Sequence, residues 1–191
     1  MKIDKSIIVS FVLLVIIAAL YRIMPGRPFG FAPQIAMALF AGSVIKDRKI
    51  SFLLPLISMF ISDVIYEVLF QNGLSAIKGF YEGQILNYVL FGGITVIGFF
   101  IKKDSMIQIA AGSLIGATAY FLLCNFGVWV GGGLDINSQP YPKTLEGLVA
   151  CYTAALPFFK MSIYSTLFFS TVLFSVYYMV NKFWSSKVAV A

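Results

Sequence analysis

Apolar runs, most of them near the length of a membrane crossing, alternate with short polar breaks through nearly the whole chain. The first, 6–24, gives way to Pro25-Gly26-Arg27-Pro28, where two prolines withhold the amides a helix needs. No small-x-small cleavage site follows, so it reads as an uncleaved span and not as a signal peptide. The second, 30–45, is short for a crossing and stops at Lys46-Asp47-Arg48-Lys49. The third, 50–70, carries Pro55, Asp63 and Glu67. The fourth, 84–101, stops at Lys102-Lys103-Asp104, and the fifth, 106–130, holds Gly112 and Gly116 at GxxxG spacing. The last, 157–180, ends at Asn181-Lys182. A further apolar stretch, 145–156, is too long to share one crossing with it, and Pro157 marks the break. It is expected to be a short interfacial or re-entrant helix covered by protein. The expected fold class is all-α integral membrane, with six transmembrane helices in a single domain over 1–191.

Charge orients these spans. With a cytoplasmic N-terminus, the inner segments hold nine cations: Lys2, Lys5, Lys46, Arg48, Lys49, Lys102, Lys103, Lys182 and Lys187. The outer segments hold four, Arg22, Arg27, Lys78 and Lys143, and the bias predicts both termini inside. The net charge of +6 is thereby absorbed by bilayer orientation, and no nucleic-acid partner is implied. The inner loops are short and the outer ones long, so function is expected at the outer face.

Composition points to the same class, with 60% hydrophobic and 12% charged residues against ~45–50% and ~25% in a soluble domain. There is no histidine, which excludes histidine general bases, zinc sites and proton relays. With no serine-based motif either, an enzyme is not expected. Cys124 and Cys151 lack CxxC spacing and read as small buried hydrophobes, a metal-ligating role being the speculative alternative. No nucleotide-binding motif occurs. Gly131-Gly132-Gly133 lacks the Lys-Ser/Thr of a phosphate loop and reads as a hinge.

The stretch 125–160 is too polar to span a bilayer and too aromatic for an ordinary solvated loop. It is expected to form a lid and pocket wall at the outer face. Asp63 and Glu67 lie four residues apart on one face of the third span, near its outer end. A carboxylate inside a bilayer costs about 2.5–3.5 kcal/mol, so it needs a partner or a wet cavity. Arg22 is the first partner to test, and an ion pair tying spans one and three is the bland alternative. Tyr120, Cys124, Asn125 and Trp129 come from the fifth span, and Tyr81, Glu82, Gln84, Asn87 and Tyr88 open the fourth. Arg22 and Arg27 come from the first outer loop, and Tyr141, Lys143, Glu146 and Tyr152 from the third. Asn125 is an amide in an apolar span and needs partners; the rings suit either a flat ligand or an interfacial belt. The candidate ligand-binding residues are Arg22, Asp63, Glu67, Tyr81, Asn87, Tyr120, Asn125, Trp129, Tyr141, Lys143 and Tyr152. The small residues Ala32, Ala36, Ala38 and Gly42 suit either a docking partner or internal helix packing.

Three motifs carry a family resemblance over nearly the whole chain. They are Arg22-x-x-Pro25 followed by Phe31-Ala32-Pro33-x-x-Ala36-x-Ala38-Leu39-Phe40-Ala41-Gly42, then Asn125-Phe126-Gly127-Val128-Trp129, then 141–159 with its Tyr141-Pro142-Lys143-Thr144-Leu145 and Ala155-Leu156-Pro157-Phe158-Phe159 ends. This pattern resembles an uncharacterised bacterial family of membrane transport proteins, itself similar to the substrate-binding S component of energy-coupling factor (ECF) vitamin transporters. The resemblance implies a multi-pass subunit of the bacterial cytoplasmic (inner) membrane that captures a scarce micronutrient from outside. It further implies a gate at 25–33, an ECF-type coupling protein with ATPases as partner, and a docking role for the small residues.

The leading expectation is a micronutrient-binding subunit whose small, partly planar ligand sits at the outer face between spans one, three, four and five. A vitamin suits that site, and a corrinoid is a speculative option if Cys124 or Cys151 ligates a soft metal. No covalently bound cofactor is expected. A second reading is an ion-coupled carrier using Asp63 and Glu67, although no inverted repeat is visible. A third is a scaffold without a ligand, which requires that no solute-sized pocket exist.

Overall fold

The computed structural model describes residues 5–188, with side chains described for 14–182. Six helices follow one another: α1 (Lys5–Ile23), α2 (Gln34–Val44), α3 (Arg48–Gln71), α4 (Gln84–Gly98), α5 (Met106–Val130) and α6 (Leu145–Val188). Among the described residues the only β-type pairing is an isolated bridge between Leu134 and Pro140. Three stretches, Arg48–Gln71, Met106–Val130 and Leu145–Lys182, are long and apolar enough to cross a membrane.

The other helices are arranged around α2. At 11 residues it is about 16 Å long, half of a ~30 Å hydrocarbon layer. It starts at Gln34 and not near 30, because the segment before it is held away from helical geometry. Gly26 and Gly30 have φ values of 76° and 81°, and Pro25 and Pro28 supply no amide. At Gly30 a side chain would lie 2.6 Å from the Phe158 carbonyl oxygen, so only glycine lets this loop rest on α6. The short helix does not have to span anything by itself. It packs against α3, α4, α5 and α6, and eight of its eleven residues are buried.

Small residues set how closely α2 is held. A Cβ on Gly42 would collide with the Thr95 carbonyl oxygen, and one on Gly98 would lie 2.5 Å from the Leu39 carbonyl oxygen. The α2 and α4 backbones therefore touch. Ala36, Ala38 and Gly42 are buried in this packing, which bears out the internal-packing alternative for them and leaves them no surface for docking; Ala32, before α2, is half-buried. Gly116 fits against Leu39 at 3.2 Å, and Gly112 against the Ile101 side chain.

Two further expected boundaries differ. The fourth span ends at Gly98, and Phe99 to Ile101 form turns, which frees the Ile101 carbonyl to accept from Ser43 Oγ at 2.8 Å. The expected break at Pro157 is absent, since α6 continues through it for 44 residues, about 66 Å. An interior proline costs a helix about 3 kcal/mol, and here packing on α5 holds both sides of it. Before it, Tyr152 Oη donates to the Leu122 carbonyl at 2.7 Å. After it, Phe159 stacks on Phe121 at 4.3 Å and Ser113 Oγ donates to Ser170 Oγ at 2.9 Å. The separate helix over 145–156 is thus the first part of α6.

Candidate functional site

Where α2 starts late, its longer neighbours enclose a space. A cavity of about 300 Å³ lies beyond the Gln34 end of α2, walled by α1, α3, α4, α5, α6 and the 24–33 loop. From the loop and α2 come Arg27, Gly30, Ala32, Gln34 and Ile35; α5 and α6 supply Tyr120, Phe121, Cys124, Asn125, Phe158 and Phe159.

Behind one wall lies the ion pair. Arg22 Nη1 donates to one Asp63 carboxylate oxygen, to Ser62 Oγ and to the Met59 carbonyl. The other Asp63 oxygen accepts from Gln84 Nε2 at 2.5 Å and Tyr88 Oη at 2.7 Å. Asp63 is 1% exposed and both its oxygens are taken. It does not line the cavity; it fixes Arg22, which does. Tyr66 Oη donates to the Arg22 backbone carbonyl at 2.8 Å and secures the end of α1. Tyr66→Phe is accordingly expected to cost about 1 kcal/mol in an unfolding titration.

Asn87 ties together the opposite wall. Its Nδ2 donates to Tyr81 Oη at 2.6 Å, and its Oδ1 accepts from Tyr120 Oη at 2.8 Å and Cys124 Sγ at 3.7 Å. Tyr120 stacks on Phe91 at 5.2 Å. Desolvation pushes the Tyr81 phenol above its usual range, so it stays protonated at neutral pH. Asn125 Nδ2 donates back to the Phe121 carbonyl at 2.8 Å. Five residues of the expected set therefore share this cavity: Arg22, Tyr81, Asn87, Tyr120 and Asn125.

The remaining expected residues lie outside the lining. Glu67 Oε2 accepts from the Gly79 and Phe80 amides, both at 3.2 Å, and so braces the α3–α4 loop. Trp129 Nε1 donates to the Pro142 carbonyl at 2.8 Å, and Lys143 Nζ donates to the carbonyls of Trp129 and Val130. The Tyr141 amide donates to the Gly133 carbonyl at 3.1 Å. Together these clasp a tight hairpin in which Asp135 Oδ1 accepts from the Asn137 and Gln139 amides. Those amides, Gln139's first, hold the Asp135 carboxyl below its usual range. Of the stretch 125–160 expected as lid and pocket wall, Asn125, Ala155, Phe158 and Phe159 line the cavity; no residue of 131–144 does, and that part, glycine triplet included, forms a self-contained cap on α5. Tyr152 bonds to α5 backbone away from the cavity. Cys124 and Cys151 are free thiols; Cys151 Sγ donates to the Asn125 carbonyl at 3.5 Å. Among the described residues no three His, Cys, Asp or Glu groups gather to hold a metal.

Sequence reasoning missed the sharpest feature of the wall. Gln34 is 3% exposed, and neither its amide nitrogen nor its amide oxygen meets a hydrogen-bond partner among the described residues. Its signal was present: a lone amide in an apolar helix, the argument already applied to Asn125. Arg27 lines the same cavity, with its guanidinium held by the carbonyls of Arg22 (3.1 Å), Pro28 (3.4 Å) and Phe31 (2.7 Å). No side chain caps α2, so the amides of its first turn also lack helical partners.

No curated protein and no solved structure matches the chain at a significant level. The model of a family of unknown function, DUF6580, matches residues 2–188, and the chain belongs to that family.

Proposed function

We propose that this protein is a substrate-binding membrane subunit of a small-solute uptake system. In this reading it is multi-pass in the bacterial cytoplasmic membrane, with both termini inside and the cavity reached from outside. The observation that carries it is the buried, unpartnered amide of Gln34 on a solute-sized cavity. A buried amide without partners costs about 1–3 kcal/mol, and a bound solute that supplies them removes that cost. Native proteins keep few such groups, and they concentrate where function needs them. The size of the cavity restricts the solute. Ligand pockets run from about 300 to 1,000 Å³, and this one is at the lower bound, which favours a small solute over a corrinoid macrocycle.

The carrier reading gains nothing from Asp63 and Glu67, because both carboxylates already have protein partners. If a coupling protein with ATPases drives transport, it docks on a surface other than α2. Native mass spectrometry of gently purified protein is expected to find a retained small molecule. Gln34→Met is expected to abolish that retention while stabilising the ligand-free protein by about 1–2 kcal/mol. Undiminished retention in Gln34→Met, or no solute in the wild type, sinks the proposal.

A further inference from the structure

Electrically, the cavity wall is one-sided. Its lining holds two arginines and no Asp or Glu. Arg22 is neutralised from behind by Asp63, whereas Arg27 has no carboxylate within ion-pair distance among the described residues. The loop fixes the Arg27 guanidinium through three backbone carbonyls, those of Arg22, Pro28 and Phe31, which orient it but carry no full negative charge. On the same cavity, the first turn of α2 has no side-chain cap for its amides, at the positive end of the helix dipole. Positive charge from two sources therefore lines one cavity. A helix start alone does not define a site; here the unpartnered Gln34 amide, at the same turn, independently marks a place where a polar ligand group belongs.

The rest of the wall mixes flat rings with the neutral polar groups of Tyr81, Asn87 and Asn125. Phe121 stacks on Phe159 at 4.3 Å with 22° between the planes, and Phe91 on Tyr120 at 5.2 Å with 23°. These ring pairs offer flat apolar surface, and the neutral polar groups among them already have protein partners, whereas Gln34 at the α2 end has none.

We propose that the solute is a small aromatic or similarly flat monoanion, its carboxylate placed at Arg27 and the first turn of α2 and hydrogen-bonded by Gln34. With Arg27 Nε and Nη1 donating to the loop carbonyls, its Nη2 remains to meet a carboxylate, which can accept from the Gln34 NH₂ at the same time. One net positive charge on the wall calls for one negative charge on the ligand. The inference rests on the solute-binding reading above and adds to it the sign of charge and the anchor residue.

The test is a thermal-shift panel on the purified full-length protein. Benzoate, nicotinate and 4-hydroxybenzoate are compared with their neutral amides and with benzylamine. At least one carboxylate is expected to raise Tm by roughly 5–10 °C at a hundredfold excess over its Kd, with its amide and the amine inactive. Arg27→Gln is expected to weaken that carboxylate about 10–100-fold, and Arg27→Lys to recover most of it. If Arg27 merely braced the loop, Lys and Gln would weaken binding alike. Three outcomes each overturn the proposal: amides or the amine stabilise as strongly as the acids, Arg27→Gln binds the acids unchanged, or no carboxylate shifts Tm. A neutral solute retained in the mass-spectrometry experiment removes the charge assignment and leaves the solute-binding reading intact.

Discussion

Asp63→Ala is expected to destabilise the protein by about 3–5 kcal/mol, measured by denaturant or thermal unfolding in detergent. The mechanism is desertion, not the loss of one attractive contact. Arg22 would keep a positive charge that is 19% exposed and newly unpaired, and Gln84 and Tyr88 would each lose an acceptor. Because these groups come from α1, α3 and α4, the damage spreads over three helices. Asp63→Asn is expected to cost less, since its oxygen still accepts from Tyr88, though it cannot neutralise Arg22. Replacing both partners, Arg22→Leu with Asp63→Leu, is expected to recover much of the loss, because no charge then stays buried alone. A fully stable Asp63→Asn that had lost only its transport would instead make this carboxylate a coupling group.

The second large effect concerns the α2–α4 contact. Gly42→Val is expected to cost about 3 kcal/mol or more and to leave little folded protein on size-exclusion chromatography. A side chain at 42 meets the Thr95 carbonyl and the Gly98 backbone, none of which can rotate aside. Gly93→Ala, on the same helix as Gly98, is the control. Nothing lies within 4 Å of its added methyl, and a change within about 0.5 kcal/mol is expected. Normal folding of Gly42→Val would return Gly42 to the surface and reopen its docking role.

Much of the candidate site was legible, and the gaps have physical causes. Arg22, Asp63, Asn87, Tyr120 and Asn125 stood out because a polar group in an apolar run must be paid for by a partner or by water. That argument finds the group but does not say which of the two satisfies it. Asp63 found protein partners and left the cavity wall, whereas Gln34, one residue past Pro33, found none and stayed on it. Trp129, Tyr141 and Lys143 were grouped with the ligand residues by composition and proximity in sequence. Their hydrogen bonds instead go to the hairpin that they close.

Period, hydropathy and punctuation were enough to set the helices along the chain. Asp47 before α3 and Ser105 before α5 accept from the first free amides of those helices, as local chemistry requires. Local rules misjudged Pro157, because whether an interior proline ends a helix depends on what packs beside it, and α5 packs along both sides. They also gave no sign that the shortest helix would be the central one. Burial of α2 by four neighbours, the hollow left beyond its first turn, and the isolation of Gln34 inside that hollow are settled by distances between segments far apart in sequence.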